Sequence, residues 1–350
     1  MIKVGIIGAT GFAGAELLGL LLSHGESEVI ALTDINYIGT AACEVFPQLR
    51  GYALQLKHLR IEGTDIGLLS AKCDVVFMAM PHGQAAPLAA KLVAAGVKVI
   101  DIGSDFRFTD VAVYKEWYKM EHAAQELLPQ AVYGLPELFR DEIGGAAVVG
   151  NPGCYPTASL LALYPLLKAG IIALDSVIID AKSGTSGAGR TPSAGNIYCE
   201  VNESLKAYNI AAHRHTPEIE MGMTKVTGSV NAVSFTPHLV PMNRGILATV
   251  YANVTTQTDA AMLHELYIQT YKDERFVVVH ERNIYPQTKW ACGTNECHIG
   301  LTYDSRTGRA VIVSAIDNLI KGAAGQAVQN MNILFGLPEV TGLELRPLVP

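Results

Sequence analysis

Lys3-Val4-Gly5-Ile6-Ile7, followed by Gly8-Ala9-Thr10-Gly11-Phe12-Ala13-Gly14 and then Glu16-Leu17-Leu18, is the stretch that sets the fold. The first five residues are mostly apolar, as a buried parallel strand requires. Glycines at 8, 11 and 14 let the chain turn tightly and approach a pyrophosphate. The helix that follows turns its positive end toward that charge. The spacing is G-x-x-G-x-x-G rather than the commoner G-x-G-x-x-G. The context therefore carries the reading: a strand before the glycines and a helix after them. Gly8, Thr10, Gly11, Phe12, Ala13 and Gly14 are the first candidates for contact with a dinucleotide.

Outward from this loop the pattern repeats. Val29 to Thr33 reads as a second strand, Val75 to Met80 as a third with a helical stretch through Ala90, and Val97 to Ile102 as a fourth. Alternation of this kind predicts an α/β, doubly wound parallel (Rossmann) domain. Asp34 lies about 20 positions past the glycines, where an acidic residue favours the ribose hydroxyls of NAD. It equally suits a turn-capping role. Pro81-His82-Gly83 and Asp101 to Arg107 follow strands, at the edge where cofactors lie. Pro81 and His82 are candidates for the cofactor. Arg107 has the fork to bind a phosphate or carboxylate, with an ion pair to Asp105 or Asp110 as the competing reading.

The chemistry points to Gly150-Asn151-Pro152-Gly153-Cys154-Tyr155-Pro156-Thr157. A strand-like Ala146 to Val149 precedes it and an apolar helical run, Ala158 to Leu167, follows. Cys154 thus falls where a turn becomes the first turn of a helix, a place that favours the reactive thiolate. A thiolate nucleophile needs a proton partner, and imidazole serves best near neutral pH. Ala212-His213-Arg214-His215-Thr216-Pro217-Glu218 supplies two, His215 first and His213 second. Glu218 is the candidate to orient the ring, and Thr216-Pro217 reads as an N-cap and first-turn pair. The Cys154 N–H, with the Asn151 side chain, is the candidate oxyanion site. Lys182 to Arg190, with three glycines and three hydroxyl residues, reads as an anion-binding loop. Ser183, Ser186 and Arg190, with Arg107, are the candidates for the substrate's anionic groups.

From Val226 to Val254 and Val277 to Val313 the pattern is strand after strand without short glycine-led crossovers. That predicts an α+β catalytic and oligomerisation domain with a mainly antiparallel sheet over 151–315. Residues 1–150 with 316–350 form the nucleotide domain, because Ile320 to Leu334 reads as a long helix returning to it. The tail from Glu339 to Pro350 reads as an extended strap.

Composition excludes several classes. A net charge of -7 argues against a dedicated nucleic-acid binder, and no apolar run reaches membrane-span length. Met1-Ile2-Lys3-Val4 enters a strand directly, without a signal-peptide pattern. Six scattered cysteines in 350 residues fit a reducing cytoplasm. Two histidines without further ligands, and Cys292 and Cys297 without a second pair, are no zinc pattern, so no metal is expected.

Taken in order, Gly8 to Gly14, Asp101 to Arg107, Gly150 to Thr157, Ser183 to Arg190, His213 to Glu218 and Ile316-Asp317-Asn318-Leu319-Ile320-Lys321-Gly322-Ala323-Ala324-Gly325-Gln326-Ala327 resemble the N-acetyl-gamma-glutamyl-phosphate reductases of arginine biosynthesis. That family is similar in fold and chemistry to aspartate-semialdehyde and glyceraldehyde-phosphate dehydrogenases. The resemblance implies reduction of an acyl phosphate through a cysteine thioester, with NADP(H), by a cytoplasmic homo-oligomer, a tetramer or dimer. It adds Asn318 and Thr33 to the cofactor candidates. The same motifs would serve a sister reductase of an aminoadipyl phosphate in lysine biosynthesis. A catalytically silent nucleotide sensor of the same fold is the reading from another class.

Overall fold

The computed structural model describes residues 1–348. It divides into two compact units, and the chain passes between them after Pro152, after Gly322 and after Glu344.

The first unit comprises Met1–Pro152 and Ala323–Glu344. Its sheet contains β1 (Ile2–Ile7), β2 (Ser27–Thr33), β3 (Ile61–Glu62), β4 (Val75–Met78), β5 (Lys98–Asp101), β6 (Ala131–Tyr133) and β7 (Val148–Gly150). All are parallel, in the order β3-β2-β1-β4-β5-β7-β6. Ile6 stands opposite Leu32 on one side and Phe77 on the other. The inner strands are buried, which is why they read as unbroken apolar runs. Strand order reverses between β1 and β4, the switch point where doubly wound sheets bind ligands. The helix Phe12–Leu22 leaves β1 at that point.

The second unit comprises Gly153–Gly322 and the described residues from Leu345 on. Its sheet is mixed, with β8 (Ile178–Ser183), β9 (Lys206–Ala207), β10 (Ser234–Leu239), β11 (Ile246–Asn253), β12 (Val277–Val279), β13 (Cys297–Asp304) and β14 (Arg309–Ile316). The order is β12-β13-β14-β11-β8-β10-β9. The central pairs are antiparallel, while β8/β10 and β12/β13 are parallel.

The helix Cys154–Ala169 is almost wholly buried in this unit. Pro165 within it has no N–H to give the Leu161 carbonyl four residues back. The Tyr271 hydroxyl donates to that carbonyl at 2.5 Å, and Tyr267 does the same for Ala162. The proline is thus accommodated by two tyrosines of the helix Ala260–Tyr271.

Four expectations are corrected. The segment from Val226 does not start as strand: the helix Thr216–Thr227 runs through it, and β10 begins at Ser234. His215, not Thr216, is the N-cap of that helix, with Pro217 in its first turn. Residues 316–322 belong to the second unit, because Ile316 pairs with Ile246 at the end of β14. The tail divides too. Glu339 stays with the first unit, bonded to Arg140 and Gln329. Leu348 donates its N–H to the Cys292 carbonyl at 2.8 Å in the second. Residues 349 and 350 lie outside the described residues.

Candidate active site

In the first unit the glycine loop is built by contact with its own neighbours. Gly8 takes φ +79°, and a methyl there would collide with the Ala79 carbonyl oxygen; a methyl on Gly14 would collide with that of Gly8. Gly11 is different. Its φ is -68°, and a methyl would meet nothing nearer than the Gly8 oxygen at 3.5 Å. The protein's own packing demands two of the three glycines. The third leaves a bare backbone at the N-cap of a helix, a cradle a side chain would fill. The residues present therefore fit a dinucleotide's pyrophosphate.

Asp34 ties this loop in place. Its Oδ2 accepts from the Thr10 N–H (3.0 Å) and the Thr10 hydroxyl (2.7 Å), and its Oδ1 accepts from the Asn36 N–H and side-chain amide. Burial pushes its carboxyl up, but these bonds outweigh that and hold it below the usual range. The turn-organising reading of Asp34 describes this geometry. Thr33 is buried, its hydroxyl accepting from Thr64 at 3.2 Å.

The Asp101 to Arg107 segment is an internal brace. Asp101 accepts from the N–H groups of Gly103, Asp105 and Phe106. Burial, with the charge of Asp105 next, pushes its carboxyl upward. Asp105 accepts from the N–H groups of Gly83, Ala85 and Ala86 and from the Tyr114 hydroxyl. It so holds the Pro81-His82 turn and caps the helix Ala86–Ala94. His82 lies 5.5 Å from the Tyr118 ring. Arg107, expected to reach substrate, is buried and donates to the Asn151 and Ile102 carbonyls. Asn151, expected at the oxyanion, is fully buried. Its amide donates to the Ala323 carbonyl and its oxygen accepts from Asn330, both at 3.0 Å. Both side chains bond the protein's own backbone and core through these atoms.

In the second unit Cys154 is the first residue of its helix, with Gly153 as N-cap. Neither the Cys154 nor the Tyr155 N–H has an intrahelical acceptor, and Pro156 has no N–H at all. A methyl on Gly153 would collide with Nε2 of His215, so the imidazole rests against the residue before Cys154. Glu218, fully buried, accepts from the Gly153 N–H at 2.7 Å. This bond fixes the turn that carries the cysteine.

His213 has a different task from His215. Its Nδ1 accepts from the His215 N–H at 3.0 Å. Its ring sits among Tyr155, Tyr208, His215 and Phe235, with centroids 4.8–5.6 Å away. Burial, and then the charge of Arg214, pull its pKa down to about 4. A neutral His213 therefore holds the backbone of His215.

The Lys182 to Arg190 loop is not the open anion nest the sequence suggests. The N–H groups of Gly184, Thr185 and Ser186 donate to the Gly245, Met242 and Asn243 carbonyls, and those of Gly187 and Gly189 donate within the loop. Ser183 is buried and donates to the Gly184 carbonyl. Ser186 accepts from Asn318, whose oxygen takes the Gly245 N–H. Asn318, a cofactor candidate, is part of this unit and pins the loop. Arg190 is exposed. Sequence reasoning missed Arg244, which follows Asn243, is partly exposed and bonds the buried Asp317 at 3.1 Å. The Asn-Arg-Gly turn it occupies was the available signal.

Family models match both halves. Residues 3–146 match "Semialdehyde dehydrogenase, NAD binding domain" and residues 154–318 match "Semialdehyde dehydrogenase, dimerisation domain". Among solved structures, aspartate semialdehyde dehydrogenase II of Vibrio cholerae superposes with a TM-score of 0.73 at 17% identity, over 96% of this chain and 98% of that one. At that identity the likeness shows the fold alone. Curated relatives are much nearer. The N-acetyl-gamma-glutamyl-phosphate reductase of Pelotomaculum thermopropionicum is 52% identical over 100% of this chain and 99% of its own. That of Heliobacterium modesticaldum is 50% identical over the whole of both chains. Sharing half its residues end to end with such proteins, the chain belongs to the N-acetyl-gamma-glutamyl-phosphate reductase family.

Proposed function

We propose that the protein reduces N-acetyl-L-glutamyl 5-phosphate to N-acetyl-L-glutamate 5-semialdehyde, releasing phosphate, with NADP(H) as reductant. The observation that carries the chemistry is Cys154 at a helix mouth, with the His215 ring against the preceding glycine.

His215 takes the thiol proton and the first helical turn favours the resulting thiolate. The sulfur attacks the acyl carbon, the bond to the phosphate oxygen breaks, and a thioester to Cys154 forms as phosphate leaves. The Cys154 N–H supports the oxygen as it gains charge, with Tyr155 N–H beside it in place of the Asn151 amide. The dinucleotide, when bound, supplies the hydride that reduces the thioester to the aldehyde level. His215 then returns a proton as the sulfur is released. Glu218 and His213 hold the two backbones that set this geometry. Arg190 and Arg244 are assigned to the substrate's anionic groups, since the loop's own N–H donors are engaged.

NADP(H) as the reductant follows the family resemblance, and Asp34 does not decide against it. Its oxygens carry four bonds from Thr10 and Asn36, so they are poorly placed to select a ribose hydroxyl. The protein is assigned to the cytoplasm as a homo-oligomer. No helix among the described residues is long and apolar enough to cross a membrane. Ile197, Tyr198, Leu205 and Ile210 stand exposed within one segment of the second unit, as an oligomer contact would require.

The test is phosphate-dependent oxidation of N-acetyl-L-glutamate 5-semialdehyde, run with NADP and with NAD, and with the one-carbon-longer aminoadipate analogue as a competing substrate. Turnover that needs phosphate and prefers NADP is expected. Cys154→Ser should abolish it while NADPH still binds by fluorescence titration. A serine variant that keeps most of the activity would rule out the thioester.

A further inference from the structure

The segment after β14 passes close to the nucleophile. Gly322 donates its N–H to the Asp317 carbonyl at 2.9 Å, an i to i−5 bond, where the chain enters a π-helical run. Wide turns of this kind recur at functional sites. This one is anchored at its start. Asp317, fully buried, accepts from the N–H groups of Leu319 (2.8 Å) and Ile320 (3.2 Å) through Oδ1. Its Oδ2 accepts from the Gly293 N–H (2.9 Å) and from Arg244.

Gly322 lies against the cysteine. A methyl on it would stand 2.7 Å from Cβ of Cys154, 3.2 Å from its Cα and 3.3 Å from Cδ1 of Ile316. The Cα of Cys154 is fixed in the first turn of a buried helix, and no rotamer change moves a Cβ aside. Two glycines thus border the nucleophile. Gly153 makes room for the His215 ring, and Gly322 lets a bare backbone rest on the carbon that carries the sulfur.

We propose that Gly322 is a positioning residue for Cys154: the π turn anchored by Asp317 sets the Cys154 Cβ, and through it the place of the sulfur beside His215. This rests on the thiol-nucleophile reading above. A methyl at 322 must shift Cβ by several tenths of an ångström. Displacements of about 1 Å at a reacting atom cost on the order of 100-fold in rate.

Gly322→Ala is expected to lower kcat by at least about 10-fold on that scale with the KM for the dinucleotide unchanged. Its iodoacetamide alkylation of Cys154, followed against pH in the resting protein and assigned by peptide mapping, should shift to higher pH. A merely structural glycine would not move that profile. A folded variant with the parent's alkylation profile and a kcat within about twofold overturns the proposal. If the variant fails to fold, Asp317→Asn decides, since it weakens the anchor without adding an atom beside Cys154. Its alkylation profile must shift in the same direction, and an unchanged one overturns the proposal. Alkylation uses no substrate. A parent that never turns over the acyl phosphate would therefore sink the reaction assignment while leaving this result standing.

Discussion

Replacing His213 by Asn should make the second unit less sensitive to acid. In the folded protein this ring has a pKa of about 4 against the ordinary 6.5, because it is buried beside Arg214. The sign follows from proton uptake. As pH falls below 6.5 the unfolded chain binds a proton here before the folded one does, so stability is lost through that window and levels off near pH 4. Between pH 7.5 and 5.0 the difference in protonation amounts to about 1.5 log units, or about 2 kcal/mol at 1.36 kcal/mol per unit. The Asn oxygen still accepts the His215 N–H, so the cost of lost packing is the same at both pH values and cancels. The assay is urea unfolding at pH 7.5 and 5.0 in a Trp117→Phe background. Trp290 then reports the second unit alone, since the chain has two tryptophans. His24 and His280, also pushed down by burial, contribute equally to both proteins. The parent should lose about 2 kcal/mol more than the variant on acidification, by the same linkage. Equal losses would refute the buried, neutral His213 and with it the account of how His215 is held.

Three further outcomes are expected. Gly14→Ala should lower Tm sharply, since its methyl meets the Gly8 carbonyl, whereas Gly11→Ala should melt like the parent yet bind NADPH weakly in a titration; equal melting of the two would remove the argument that Gly11 is kept open for a ligand. Asp34→Ala should raise the dinucleotide KM by on the order of 10-fold, the loss of two charge-assisted bonds to Thr10, with the NADP to NAD preference unchanged; a swing toward NADP would restore the ribose-selecting role. Glu218→Gln keeps an acceptor for the Gly153 N–H but removes the charge, a difference of about 1 kcal/mol, so kcat should fall roughly 5-fold; an unchanged kcat would separate the Gly153 turn from catalysis.

The features legible in the sequence are those whose cause is local. Gly8 to Gly14 between a strand and a helix, and Cys154 at a helix start, follow from neighbours a few residues away. The first unit's parallel order follows from the same alternation. What could not be read is where polar side chains would find their partners. Asp34, Arg107, Asn151, Ser183 and Asn318 all have the chemistry of ligand-binding residues. Each also bonds a backbone or side-chain group of the protein, several of them far along the chain. The reason is general. A tight turn that carries chemistry exposes backbone N–H and C=O groups to an interior where each must be paired, so residues able to bind an anion are drafted to hold the turn.

The π turn was hidden for a related reason. Ile320 to Leu334 has an ordinary apolar helical pattern, and nothing local signals an extra residue per turn. The signal lies in the pair Gly322 and Cys154. Where the sequence places a glycine inside an apolar helix, propensity alone opposes it by about 1 kcal/mol. Its presence asks what approaches it, and here the answer is Cys154.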